Sequence, residues 1–180
     1  MHIEWLLKDA QQRHQEYSYC LFPSAMGLTM ALWRPEGLYA LLPVADEAEG
    51  LAQAQQRFST KLRAQDLPSG WQAAFATLLD GQSLEWPCAV KAQGTAFQLS
   101  VWQALLSIPR GEVRSYSQLA EQLNAPQSVR ALGTACGANP LAVLLPCHRV
   151  VAKNGALTGY RWGLAHKQRL LEQERVAYAG

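Results

Sequence analysis

Between residues 17 and 42 three apolar runs, 17–22, 28–33 and 38–42, are parted only by Pro23 to Gly27 and by Arg34 to Gly37. Such short connections cannot return the chain to the start of a parallel neighbour, which takes a dozen residues or more. The runs therefore pair as a three-stranded antiparallel meander. From Asp46 to Gln65 the pattern changes to Ala, Gln, Glu and Arg, with Leu51, Ala54, Phe58 and Leu62 at helical spacing. A second helix is expected over 71–79, started by Ser69 and ended by Asp80-Gly81. Strands followed by helices make this half an α/β domain. The segment 85–94, carrying Pro87 and Gly94, reads as a linker and sets the domains at 1–88 and 89–180.

Beyond the linker the helix signals are explicit. Thr95-x-x-Gln98 and Ser115-x-x-Gln118 are capping boxes. After the first box, Phe97, Val101, Leu105 and Ile108 fall on one face before Pro109 stops the helix. The second box opens a short helix through Leu123, Asn124-Ala125-Pro126 makes a tight turn, and 127–136 form the next helix. Two short helices across a three-residue turn have the form of a helix-turn-helix. Charge points the same way. Residues 1–90 hold six Lys or Arg against ten acids, net −4, whereas residues 91–180 hold ten against four, net +6, and seven of those ten are Arg. The Arg fork grips phosphate with two hydrogen bonds. The excess is either a solvated basic face or a polyanion-binding surface, nucleic acid first.

The helix after the turn runs Arg130-Ala131-Leu132-Gly133-Thr134-Ala135, which carries almost no base-reading code. Two readings stand. It packs against the protein's own core, or it lies on DNA without sequence preference, through the minor groove.

The composition is 49% hydrophobic, which excludes disorder, and apolar runs such as 141–145 are far too short to span a membrane. The N-terminus has neither the basic flank nor the apolar stretch of a secretion signal, so a cytosolic place is expected. Four cysteines, 68, 48 and 11 residues apart with no C-x-x-C pair, are expected to be free thiols. A zinc set drawn from His2, His14 and Cys20 has no recognisable spacing, so neither metal nor cofactor is expected.

The chemistry concentrates in Pro146-Cys147-His148-Arg149-Val150. A thiol at a rigid corner ionises only at about pH 8.5, so as a nucleophile at neutral pH it needs a nearby base. Adjacent side chains rarely face each other. His148 would therefore act through a water and need an acid elsewhere to orient it. The bland alternative is a buried structural Cys beside an exposed His.

The Pro146-Cys147-His148-Arg149-Val150 motif resembles that of the O6-alkylguanine-DNA alkyltransferases, the methylated-DNA–protein-cysteine methyltransferases. The resemblance runs over about residues 93–175. It takes in Gly94-Thr95-Ala96-Phe97-Gln98, Val101-Trp102, Ile108-Pro109, Gly111-Glu112-Val113, Ser115-Tyr116, Val129-Arg130-Ala131, Asn139-Pro140 and Gly159-Tyr160-Arg161-Trp162-Gly163. Within the family the pattern is most similar to the repair half of the bacterial adaptive-response members. Residues 1–90 match only in their strand-then-helix pattern.

The resemblance implies a ribonuclease-H-like α/β domain followed by a mainly α, winged-helix-like domain with a helix-turn-helix. It implies Cys147 as acceptor in an in-line displacement at the alkyl carbon on guanine O6, each molecule reacting once. The implied relay runs from Cys147 through a water to His148 and on to Glu174, with Tyr116 donating toward guanine N3. The carbonyls of Cys147 and Val150 would accept from the exocyclic amine, and the Arg161 amide would approach O6. Arg130 would fill the stack left by the flipped base, with Ala131, Gly133, Thr134 and Ser115 at the DNA surface. Asn139 would tie the helix-turn-helix to Cys147. Tyr160, Arg161 and Trp162 would line the substrate pocket, Trp162 crowding any group larger than methyl or ethyl unless it packs into the core instead. The partner implied is double-stranded DNA containing O6-alkylguanine, with no membrane and no obligate protein partner, and a monomeric protein. Three alternatives differ in kind: a non-catalytic alkylated-base binder would lack the acceptor cysteine, a helix-turn-helix regulator would need polar residues at Ala131 and Gly133, and a cysteine hydrolase would turn over.

Overall fold

The computed structural model describes residues 1–8, 16–59, 61–80 and 86–176. His14, Gly81 and Glu85, invoked above for a zinc set, a helix stop and a linker start, lie outside the described residues. The chain divides into two units, Met1–Gly94 with Pro140–Ala142, and Thr95–Asn139 with Val143–Gly180.

In the first unit the meander forms as β2 (Glu16–Ser24), β3 (Gly27–Arg34) and β4 (Gly37–Pro43), paired antiparallel in that order. Three more strands extend it: β1 (Ile3–Leu7), β5 (Lys61–Ala64) and β6 (Val90–Gly94), each parallel to its neighbours in the order β1-β6-β4-β3-β2-β5. The expected linker is thus corrected. Its second half is β6, which lies between β1 and β4 with all five residues buried, so the passage between units falls at Gly94/Thr95 rather than at 88/89. Lys91 and Gln93 made this segment look exposed. Both are buried; the Lys91 ammonium pairs with Glu4 on β1, and the backbone carbonyl of Gln93 accepts from Arg57 Nη2 at 2.7 Å.

Helix α1 spans Glu47–Phe58 and is capped by Asp46, whose side chain accepts from the Glu49 amide at 2.8 Å. It ends earlier than the expected 65. Ser59 takes a left-handed φ of 49°, and Leu62 goes into β5 opposite Tyr17. Gly50 lets α1 lie close on β3, since a Cβ there would sit 2.4 Å from Met30 Cε. Helix α2 spans Trp71–Leu79 as expected, but its cap is Gly70 at φ 83°, not Ser69. Trp71, Phe75 and Leu78 form its buried stripe; Trp71 meets Trp33 and Trp86 at ring distances of 5.7 and 5.8 Å, and Phe75 meets Phe22 at 5.8 Å.

The second unit is mainly helical. Helix α3 (Ala96–Leu106) starts at the Thr95/Gln98 box, with both reciprocal bonds formed. It buries Trp102 completely, the indole N–H donating to Ala135 O at 2.9 Å. A two-residue strand β7 (Arg114–Ser115) leads through the Ser115/Gln118 box into α4 (Tyr116–Gln122). Asn124 turns the chain at φ 54°, Pro126–Ser128 make a 3₁₀ turn, and α5 runs Val129–Gly137, two residues later than expected because the 3₁₀ turn takes the first positions. A second 3₁₀ turn, Cys147–Arg149, leads into β8 (Val150–Val151), parallel to β7, and α6 (Leu164–Gln173) closes the unit. Among the described residues no helix is long and apolar enough to cross a membrane, and no group of three or more His, Cys, Asp or Glu could hold a metal ion. All four cysteines are free thiols.

Gly37, at φ 150°, carries the tightest backbone approach: a Cβ there would fall 2.3 Å from Ala89 O, beside β6. Gly37→Ala must displace that carbonyl and is expected to cost about 2 kcal/mol or more, in the range of core overpacking. Urea unfolding measures it, and an unchanged midpoint would contradict the packing described.

Candidate active site

The Cys147 turn is held from both sides by backbone bonds. The Cys147 amide donates to Leu145 O at 2.8 Å, the Arg149 amide to Pro146 O at 3.0 Å, and the Val150 amide to Cys147 O. Pairing of Arg114 with Val150 and Ser115 with Val151 then fixes this turn beside the start of α4. Asn139, fully buried after α5, donates from Nδ2 to Leu145 O at 2.8 Å and to Cys147 Sγ at 3.3 Å. The thiol is buried rather than exposed at its corner, with 4% of the residue accessible. Burial pushes it up to about 11, against the pull of the Asn139 amide and the Lys167 ammonium. It rests as a thiol.

His148 is fully buried, so neither the exposed-His alternative nor an exposed thiol describes this turn. His148 Nε2 lies 2.9 Å from Glu174 Oε1. The same carboxylate receives Arg149 Nε on Oε2 and Arg149 Nη2 on Oε1, each at 2.9 Å, and the Gly111 amide on Oε2 at 3.4 Å. Burial opposes charge on Glu174, but the bonds from His148 and Arg149 outweigh it and bring the carboxyl down to about 2. An ionised carboxylate can only accept, so Nε2 carries the proton and Nδ1 keeps a lone pair. Burial holds the imidazole below its ordinary value; Glu174 pulls it up, and Arg149 and Lys167 push it down. His148 is thus a neutral base whose Nδ1 is buried and has no protein hydrogen bond.

A cavity of about 580 Å³ adjoins this turn. Tyr116 comes from α4, Val129, Arg130, Gly133, Cys136 and Gly137 from α5, Cys147 from the turn, and Thr158 to Arg161 from the loop before α6. The volume falls in the ordinary range of small-ligand sites, roughly 300–1,000 Å³. The Tyr116 hydroxyl donates to Gly159 O at 3.3 Å and is held protonated by burial and by the neighbouring Cys136 and Cys147. It remains a donor at all ordinary pH values.

The structure brings Cys147, Tyr116, Arg130, Gly133, Tyr160 and Arg161 to one cavity and sets His148 and Glu174 behind the thiol turn. Ala131 and Thr134 lie with Arg130 on the exposed face of α5, whose Leu132, Ala135 and Cys136 are buried. Other expected residues lie elsewhere. Ser115 is buried and its hydroxyl accepts the Gln118 amide, so it caps α4 instead of standing at a surface. Asn139 is interior too, not at a DNA surface, and its bonds to Leu145 O and Cys147 Sγ tie the end of α5 to the thiol turn. Trp162 does not line the cavity; it is buried with its ring 5.3 Å from Tyr160, because the turn at Gly163 (φ 94°) leaves Arg161 outside and the indole within. Val150 is also absent from the lining, and its carbonyl accepts from Lys167 Nζ at 2.6 Å.

Lys167 and Arg149 were missed in the sequence. Lys167 is fully buried, bonded also to Thr158 O at 2.8 Å, and burial brings its ammonium down to about 8. A signal existed, since Lys167, Leu170, Leu171 and Glu174 share one helical face. Two charges on an otherwise apolar stripe indicate buried, partnered ions.

A family model described as 6-O-methylguanine DNA methyltransferase, DNA binding domain, matches residues 96–176. The chain is 50% identical over 99 residues to the inducible methylated-DNA–protein-cysteine methyltransferase of Bacillus subtilis, covering 55% of each. It is 38% identical over 158 residues to the bifunctional transcriptional activator/DNA repair enzyme Ada of Escherichia coli, covering 87% of this chain and 45% of that protein. The chain thus spans about half the length of these curated relatives. Among solved structures, OGT of Mycobacterium tuberculosis in complex with DNA superposes with a TM-score of 0.69 at 34% identity, over 89% of this chain and 93% of that one.

The two shifted groups set the acid stability. Glu174, depressed in the folded state, stabilises above its unfolded value and loses that contribution as pH falls toward about 2. His148, also depressed, begins to cost stability once pH drops below the ordinary imidazole range. Between pH 7 and pH 3 the Glu174 contribution should fall by about 2 kcal/mol, with His148 adding to it. Urea unfolding at both pH values should show this loss, and Glu174→Gln should remove most of its carboxylate part. A variant with the full pH slope would contradict the assignment.

Proposed function

We infer what this chain does from one premise: it belongs to the methylated-DNA–protein-cysteine methyltransferase family. On that premise we propose repair by direct reversal, a single-turnover transfer of a methyl or other alkyl group from O6 of guanine in DNA to Cys147. The observation that carries the reading is a protonated thiol on the wall of a base-sized cavity, backed by a neutral imidazole with a free lone pair.

In the proposed step Cys147 Sγ attacks the alkyl carbon in line, so the S–C bond forms as the C–O6 bond breaks. The thiol proton passes through a water to His148 Nδ1, and Glu174 steadies the imidazolium that forms. The electron pair left on guanine is met by the Tyr116 hydroxyl at N3. In the net change the thiol proton replaces the alkyl group on guanine. The product thioether has no leaving group that water or a side chain of the cavity can expel, so each chain reacts once. The carbonyl of Cys147 is assigned to the exocyclic amine and the Arg161 amide to O6.

The target atom is out of reach inside a duplex, so the nucleotide must be rotated out at a cost of a few kcal/mol. Arg130, exposed beside the cavity mouth, is assigned to the vacated stack. The exposed Ala131 and Thr134, with Gly133 between them at the cavity, suit close approach to a minor groove and offer nothing to read sequence with, which argues against a helix-turn-helix regulator. Helices α4 and α5 are read as the helix-turn-helix of a winged-helix-like unit. An antiparallel meander continued by parallel strands supports a ribonuclease-H-like reading of the first unit. The proposed partner is double-stranded DNA bearing O6-alkylguanine, in the cytosol.

Mixing the protein with one equivalent of O6-methylguanine DNA should add one methyl mass to the peptide bearing Cys147 and exhaust its activity. Cys147→Ala should keep DNA binding and lose transfer. Repeated turnover, or methylation mapped to Cys20, Cys88 or Cys136, would overturn the proposal.

A further inference from the structure

We propose that Arg149 is a positioning residue for the proton transfer: its guanidinium shares the Glu174 carboxylate with His148, so that the imidazole rests neutral and ready to accept a proton at Nδ1. The inference rests on the alkyl-transfer reading of Cys147 and concerns the residue next but one to it.

A fully buried imidazole against a single buried carboxylate, with no other charge at hand, is drawn toward the imidazolium–carboxylate pair. Such a pair has no lone pair left for the thiol proton. Arg149 alters that balance by geometry. Its Nε and Nη2 reach the two oxygens of Glu174 in a parallel fork, each at 2.9 Å, while Nη1 donates to Ile108 O at 2.7 Å. The third bond anchors the fork to the turn before Pro109, so its direction does not depend on His148. With the Gly111 amide also on Oε2, the carboxylate is neutralised by a cation that never loses its proton, and His148 adds one hydrogen bond rather than the balancing charge.

The charges that face His148 all fit this account. Glu174 attracts a proton to it, whereas Arg149 and Lys167 repel one, and complete burial adds to the repulsion. Cys147, its neighbour, is uncharged at rest. Arg110 Nη1, 3.8 Å from Glu174 Oε1, reinforces Arg149 from a half-exposed position. Lysine at 149 would bring the charge without the fork. Glutamine would bring hydrogen bonds without the charge.

Two measurements test this. In the resting wild-type protein, nitrogen NMR of His148 at pH 7 should show a protonated Nε2 and an unprotonated Nδ1. Both nitrogens protonated would overturn the proposal whatever the enzyme transfers and whether or not any variant folds. Single-turnover transfer from an O6-methylguanine oligonucleotide is then followed against pH for wild type, Arg149→Gln and Arg149→Lys. Arg149→Gln should move the acid limb up by about one pH unit, a loss of about tenfold on the limb and of no more than about threefold at pH 7 that is recovered near pH 9, with the His148 titration moving alike. Arg149→Lys should restore part of the shift. A loss equal at every pH with an unmoved histidine titration would mean that Arg149 only holds the turn together, and would overturn the inference. Absence of any methyl on Cys147 in the wild type would instead remove the alkyl-transfer reading and leave the NMR result to decide the resting charge.

Discussion

The Glu174 carboxylate is the junction on which the second unit's chemistry depends. It sits at the end of α6 and receives hydrogen bonds from His148, Arg149 and the Gly111 amide, so one side chain ties the C-terminal helix, the Cys147 turn and the turn after Pro109 together. Burying a lone carboxylate would cost several kcal/mol. Here every lone pair has a donor and one donor is a permanent cation, so the group stays ionised where burial alone would protonate it. Because the carboxylate can only accept, it also dictates the tautomer of His148. The position of one negative charge in α6 thus determines which nitrogen of a histidine 26 residues earlier is basic.

Lys167 makes the complementary connection about two turns earlier on the same helix. Its ammonium joins Val150 O to Thr158 O, which ties the strand after the thiol to the loop that forms the opposite wall of the cavity. Lys167 on α6 and Glu174 at its C-cap both point inward, and the Thr158 loop is thus held to the strand after the thiol by hydrogen bonds. Such bonds are directional, whereas apolar contacts tolerate sliding.

How much of this was legible follows from what kind of interaction makes each element. The meander and the capping boxes at Thr95 and Ser115 could be read because their signals are local: turn residues between apolar runs, or two side chains three positions apart. Strands β1, β5 and β6 could not. Their pairing is parallel and remote in sequence, and Lys91 and Gln93 give β6 the polarity of a loop until Glu4 is seen beside Lys91. The motif around Cys147 and the roles of His148, Glu174 and Tyr116 came from the family pattern, which fixes residue type and spacing. It did not report burial. Hence Trp162 was set at the cavity when the turn at Gly163 folds it inward, Ser115 was set at a surface when it is a cap, and Arg149, in the middle of the motif, was passed over because its two partners lie 25 and 41 residues away.

The buried thiol explains why so much structure is devoted to one histidine. With its ionisation raised to about 11, Cys147 is a thiolate in only about one molecule in ten thousand at pH 7. A mechanism that waited for that thiolate would carry about 5 kcal/mol of its barrier as deprotonation alone. Removing the proton while the S–C bond forms avoids populating the anion, and that requires a base already neutral and already oriented. In the proposed transfer the same protonation also protects an acceptor that reacts once: a thiol without ionisation is a poor nucleophile toward electrophiles that diffuse in without engaging the relay. Reactivity and protection are then two consequences of one arrangement, an acidic group held ionised by Arg149, a histidine kept neutral between them, and a sulfur left protonated until substrate fills the cavity.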